Sequence, residues 1–76
     1  MSGFDDYFGD KPLAASRREL DALRYSSHGL RERECADAMG VSEETVKTHL
    51  DFARRKLRAK NTAHAVAIAL RLGLID

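Results

Sequence analysis

The sequence predicts an all-α domain of four helices, and three observations carry that prediction. Glycines at 29, 40 and 73 each follow a stretch with helical apolar spacing, where a residue free to turn left-handed ends a helix. Ser16, Ser42 and Thr62 each stand at the head of such a stretch, where a side-chain oxygen caps a helix N-terminus. No segment alternates apolar and polar residues over the length of a strand.

Residues 1–12, MSGFDDYFGDKP, carry neither period and close on Pro12, so they predict a short flexible leader, acidic and aromatic, ahead of a domain over 13–76. Ser16-Arg17-Arg18-Glu19 is a capping box: Ser16 accepts from the Glu19 amide and Glu19 reaches back. The first helix then runs to about Ser27, with Leu20 and Leu23 as a thin apolar edge and Gly29 as its stop. Glu32 to Met39 predicts a second helix that buries Leu30, Cys35, Ala36 and Met39, with Val41 as an apolar plug after Gly40. Ser42 caps a third helix over about residues 43–58. Glu43 and Glu44 stand in its first turn and Arg54, Arg55, Lys56 and Arg58 in its last, as the helix dipole favours. Thr62 caps a fourth, Ala63 to Leu72, which Gly73 ends before the apolar Leu74 and Ile75.

Several function classes fall away on composition. A chain of 76 residues makes one domain, too small for a large core or a sheltered cleft. Cys35 is the single cysteine, so no internal disulfide forms, and no Cys/His pair has metal-ligand spacing. Cys35 reads as a small buried hydrophobe, and His28 and His64 as surface or packing residues. There is no nucleophile–base set and no phosphate-cradling glycine loop, so the expectation is no catalysis, no metal and no cofactor. No apolar run approaches the roughly 20 residues that span a bilayer. The N-terminus is neither a secretory signal nor a transit peptide, and a cytoplasmic location is expected.

The net charge of +1 hides an uneven distribution. The leader holds Asp5, Asp6 and Asp10 against Lys11, a balance of −2, so residues 13–76 carry +3. Between Lys47 and Lys60 six cations oppose only Asp51. Such asymmetry points to an anionic partner. Placing residues at about 100° each puts Val46, Leu50, Ala53 and Leu57 on one stripe of the third helix. Glu44, Thr48, Asp51 and Arg55 lie opposite, flanked by Lys47 and Arg54 on one side and by Thr45, His49, Phe52 and Lys56 on the other.

A short helix, a glycine turn and a longer helix with a polar outer ridge is the helix-turn-helix design, which predicts double-stranded DNA as partner. In that reading Lys47 meets a base or a phosphate, Thr48 and Asp51 face bases, and Arg54, Arg55, Arg58 and Lys60 meet phosphates. Thr45 either holds a phosphate or packs on the second helix. Each has a structural alternative: Lys47 as a solvated partner of Glu44, Thr48 as filler, Asp51 as a partner of Arg55 one turn on. His49 reads as a brace for the helix.

GLRERECADAMGVSEETVKTHLDFARRKL, followed by AVAIALRLGLI, resembles the LuxR/GerE/FixJ-type DNA-binding domain. Thr45-Val46-Lys47, His49-Leu50, Lys56-Leu57, Ala65-Val66 and Gly73-Leu74-Ile75 carry the match, and Arg18-Glu19 behind Ser16 is similar to the family's opening Thr-x-Arg-Glu. The resemblance implies a four-helix domain that regulates transcription, usually behind a separate sensory domain; this sequence shows no such part, so a stand-alone domain is expected. It also implies a homodimer through the fourth helix, for which Ala65, Val66, Ala69 and Leu70 are the candidate residues. Arg31-Glu32-Arg33 departs from the usual Ser-Asn-Lys, and Arg58-Ala59 from Gly-Val. Cys35 and Ser26-Ser27 replace larger apolar groups, so a thin core is expected. Asp51 is unusual at a base-facing position. An alternative reading is an adaptor that binds RNA polymerase or another regulator, since LRYSSHGL and ARRKLR also resemble sigma-factor region 4. The leader's Phe4, Tyr7 and Phe8 would then bind protein.

Overall fold

The computed structural model describes residues 15–76, so the leader and its boundary with the domain lie outside the described residues. Four helices organise the rest: α1 (Arg17–Ser27), α2 (Glu32–Met39), α3 (Glu43–Lys56) and α4 (Thr62–Arg71). No strand occurs among the described residues, and none of their helices is long and apolar enough to cross a membrane.

Each start is explained locally. At α1 the Glu19 amide donates to Ser16 Oγ at 3.1 Å and the Ser16 amide to Glu19 Oε1 at 2.9 Å, both halves of the capping box. At α2 the cap position is Arg31, whose side chain has no acceptor atom. Glu34 Oε1 takes the Arg31 amide instead, at 2.8 Å, which supplies half of the same device. Ser42 Oγ accepts the Thr45 amide at 3.1 Å. At α4 the cap is Asn61, not Thr62: its Oδ1 accepts the His64 amide at 2.8 Å, and Thr62 is already helical. Asparagine caps at least as well as threonine, so the helix starts one residue earlier than the sequence suggests.

All four helices end in one way. A residue two or three positions past the helix bonds back to the carbonyl five positions earlier: Leu30 to Tyr25, Val41 to Ala36, Ala59 to Arg54 and Leu74 to Ala69, at 2.8–3.2 Å. The residue before each of these is left-handed, as this motif demands. Three of the four are Gly29, Gly40 and Gly73; the fourth is Arg58, with φ at +56°. That closure ends α3 at Lys56, two residues short of the expected limit, and puts Arg58 and Lys60 in the connection to α4.

Helices α1 and α3 each pack against the other three. The core cluster holds thirteen residues of which six are alanine, and only Leu23, Val46 and Cys35 are its largest fully buried side chains. A core of small groups brings helix axes close together. The expected thinness is therefore real. Ser27 is half-buried and donates its hydroxyl to the Arg24 carbonyl at 2.6 Å. No buried side-chain nitrogen or oxygen among the described residues lacks a partner. Cys35 is 1% exposed, and burial pushes its thiol above the ordinary value.

Candidate nucleic-acid interface

Val46, Leu50, Ala53 and Leu57 are all buried, so the stripe read from the sequence is the face that α3 presents to the core. The face opposite is consequently open. Glu44, Lys47, Thr48, Phe52 and Arg55 are exposed on it, and Asp51 and Arg54 are half-buried beside them. Arg58 and Lys60 follow as exposed residues just past the helix. The Lys60 amide donates to His64 Nδ1 at 3.0 Å, so His64 fixes the backbone there as well as packing on the surface.

The ion pairs on this ridge differ from the simplest expectation. Lys47 Nζ lies 3.9 Å from Glu32 Oε1 on α2, a loose pair, and its side chain stays 64% exposed. Its neighbour is thus Glu32 across the turn and not Glu44 one turn back. Asp51 takes two arginines: Arg54 at 2.8 Å on one oxygen and Arg55 at 3.0 Å on the other. The Arg54 hydrogen bond first, and the Arg55 charge after it, hold the Asp51 carboxyl below its ordinary value. Thr45 Oγ1 sits 2.9 Å from Ser42 Oγ, so its hydroxyl belongs to the helix cap.

Two adjacent residues of α1 hold the helix pair in place. Arg18 donates to the Met39 carbonyl at 2.7 Å, which closes one of the orphan acceptors at the end of α2. Glu19, buried, accepts Lys56 Nζ at 2.8 Å with the same oxygen that caps α1. The capping box was legible in the sequence. The link from Glu19 to Lys56 was not, because nothing local joins residues 37 positions apart. Phe52 was placed on a flank without a role, yet it is 45% exposed on the outer surface.

On α4, Ala65 and Ala69 are fully buried and belong to the core cluster. This corrects the assignment of those two to a contact surface: the alanine period that faces inward is theirs. Val66 is half-buried and Leu70 is 47% exposed. With exposed Ala63 and half-buried Ala67 they form the outward ridge.

Among the described residues no group of three His, Cys, Asp or Glu side chains is arranged to hold a metal ion. The chain is 42% identical over 59 residues to the HTH-type quorum sensing-dependent transcriptional regulator VjbR of Brucella ovis, covering 78% of this chain and 23% of that protein. It is 43% identical over 68 residues to the similarly described RpaR of Rhodopseudomonas palustris, covering 86% and 28%. It is 38% identical over 61 residues to the uncharacterized transcriptional regulatory protein YxjL of Bacillus subtilis, covering 80% and 28%. The chain thus spans about a quarter of the length of these relatives. No solved structure gives a significant match. The family described as bacterial regulatory proteins, luxR family, matches residues 14–69, the span that contains the capping box, the helix pair, the cationic ridge and most of α4. The chain belongs to that family.

Proposed function

We propose that this chain is a sequence-specific module that binds double-stranded DNA and regulates transcription, with α3 lying in the major groove. The observation that supports this best is the open face of α3: Lys47, Thr48, Arg55 and, just beyond the helix, Arg58 and Lys60 are all exposed on the second helix of a helix-turn-helix pair. A helix about 10–12 Å across fits a groove of about 12 Å, so such a ridge meets base edges along its centre and phosphates along its sides. Lys47 and Thr48 then face bases, and Arg54, Arg55, Arg58 and Lys60 face phosphates. Asp51 acts through the two arginines it holds. Thr45 serves the helix cap.

The module works as a binding protein in the cytoplasm and carries no reaction of its own. A single module buries only about 600–1,000 Å² on DNA, so a two-fold dimer strengthens the reading. The outward ridge of α4, with Ala63, Val66, Ala67 and Leu70, is the surface proposed for that contact.

Titration of a duplex at two salt concentrations tests the function. Four cations at phosphates give a slope of log affinity on log salt near about −3.6 per protomer, at about −0.9 for each phosphate neutralised. Absent or salt-indifferent binding by folded protein overturns the reading and favours a protein partner.

A further inference from the structure

Phe52 is an apolar ring on a ridge otherwise built for a polar partner. It is 45% exposed, although α3 has an apolar stripe elsewhere that is buried in full. At about 100° per residue it lies about 40° from Thr48 and about 60° from Arg55, so it is continuous with the ridge assigned to DNA. That ridge has two unlike shoulders. On one, Lys47, Asp51, Arg54 and Arg55 are charged, and each Asp51 oxygen already holds an arginine, at 2.8 and 3.0 Å. A carboxylate engaged in this way is a poor acceptor for a cytosine amine. On the other shoulder Thr45, Thr48 and Phe52 are uncharged, the Thr45 hydroxyl is turned to Ser42, and Lys56 beyond them is bound to Glu19 at 2.8 Å, with His49 at the inner edge. The Thr48 methyl and the Phe52 ring thus make an apolar outer surface one helical turn long.

Thymine is the base that shows a methyl group in the major groove, and apolar side chains recognise it there. We propose that Phe52, beside Thr48, is a specificity-determining residue that reads thymine 5-methyl groups. The proposal rests on the DNA-binding function above and adds to it the chemistry that the base contact takes. Docking removes both the ring and the methyl from water, which stabilises the complex only where a thymine stands. A phosphate at the same place would find neither a charge nor a donor on the ring.

Uracil tests this cleanly, because replacing thymine by uracil deletes the methyl and leaves the hydrogen-bonding edge intact. A duplex is first selected from a random pool by the wild-type chain, and each of its thymines is then replaced singly. Burial of one methyl-sized group predicts that wild type binds about fourfold more weakly at one or more positions. Phe52→Ala should bind the thymine and uracil duplexes alike, while circular dichroism shows its helices intact. Phe52→Gln keeps helix propensity and serves the same comparison if the alanine variant is poorly folded. Wild type indifferent to uracil at every position overturns the proposal and leaves DNA binding standing. So does a folded Phe52 variant that keeps the full preference for thymine, which would make the ring a surface for a protein. A folded wild type that selects no duplex refutes the DNA-binding function, and this inference with it.

Discussion

Arg58 closes α3 in the left-handed conformation that Gly29, Gly40 and Gly73 adopt at the other three helix ends. For a residue with a Cβ that conformation costs about 1–2 kcal/mol, partly offset here because glycine has more freedom to lose on folding. Arg58→Gly should therefore raise stability by about 0.5–1 kcal/mol, read as a higher denaturant midpoint with an unchanged slope. The same substitution removes a cation proposed to face phosphate, so DNA affinity should fall on all sequences alike and the salt slope shrink by about 0.9. A variant that is both more stable and unaltered on DNA would remove Arg58 from the interface. Asp51 invites the reverse experiment. Its carboxyl is held below its ordinary value by Arg54 and then Arg55, so it is ionised throughout the neutral range. Asp51→Asn removes a negative charge from the ridge and loosens both arginines. Non-specific affinity should rise while base preference holds, as paired titrations on selected and random duplexes would show; a preference moved at a single base would instead make Asp51 a reader.

At the scale of elements, the helix-turn-helix pair is held from outside by the first turn of α1. Arg18 binds the end of α2 through the Met39 carbonyl, and Glu19 binds the last turn of α3 through Lys56. The side chain of Glu19 is 8% exposed and that of Lys56 is 28% exposed, so this ion pair is shielded well beyond a surface pair. Glu19→Ala leaves Lys56 without this partner and the Ser16 amide without its acceptor. Losing half of a cap and one side of a shielded pair should cost about 2–3 kcal/mol. Denaturant unfolding measures the sum, and hydrogen exchange locates it. The amides of the last turn of α3 and the first turn of α1 should lose protection together. Loss confined to α1 would show that Lys56 gains nothing from the pair.

The whole molecule raises the question of assembly, and the dimer proposed above would use the outer of the two sides of α4. Ala65 and Ala69 are fully buried in the monomer, whereas Leu70 is 47% exposed. Ala69→Glu should bury a carboxylate among apolar groups and unfold the domain, since an unpaired buried charge exceeds the few kcal/mol that so small a core supplies. Leu70→Glu should leave the helices intact and abolish self-association, with affinity for a two-half-site duplex falling in step. Sedimentation with and without DNA reads both. A folded Leu70→Glu protein that still dimerises would move the contact off the outward ridge of α4.

Local chemistry was enough to reveal four helices, because each carries a cap or a stop that acts within one turn. Ser16 with Glu19, Ser42 with its two following acids, and the three left-handed glycines each act within one turn, so they show in the sequence. The inward stripe of α3 was legible for the same reason, since Val46, Leu50, Ala53 and Leu57 repeat at helical spacing. On α4 that reasoning failed. Its two faces are both lined by small apolar residues, and period alone does not say which alanines look inward. Only packing against α1 and α3 assigned Ala65 and Ala69 to the core and left Ala63, Ala67 and Leu70 outside. Likewise the partner of Lys56 lies 37 residues away and that of Lys47 on the neighbouring helix. The sequence determined which segments coil and which residues carry charge. Tertiary structure decided which of those charges are spent on holding the helices together and which remain on the open face, because ion pairs between helices depend on distances in space that no spacing along the chain encodes.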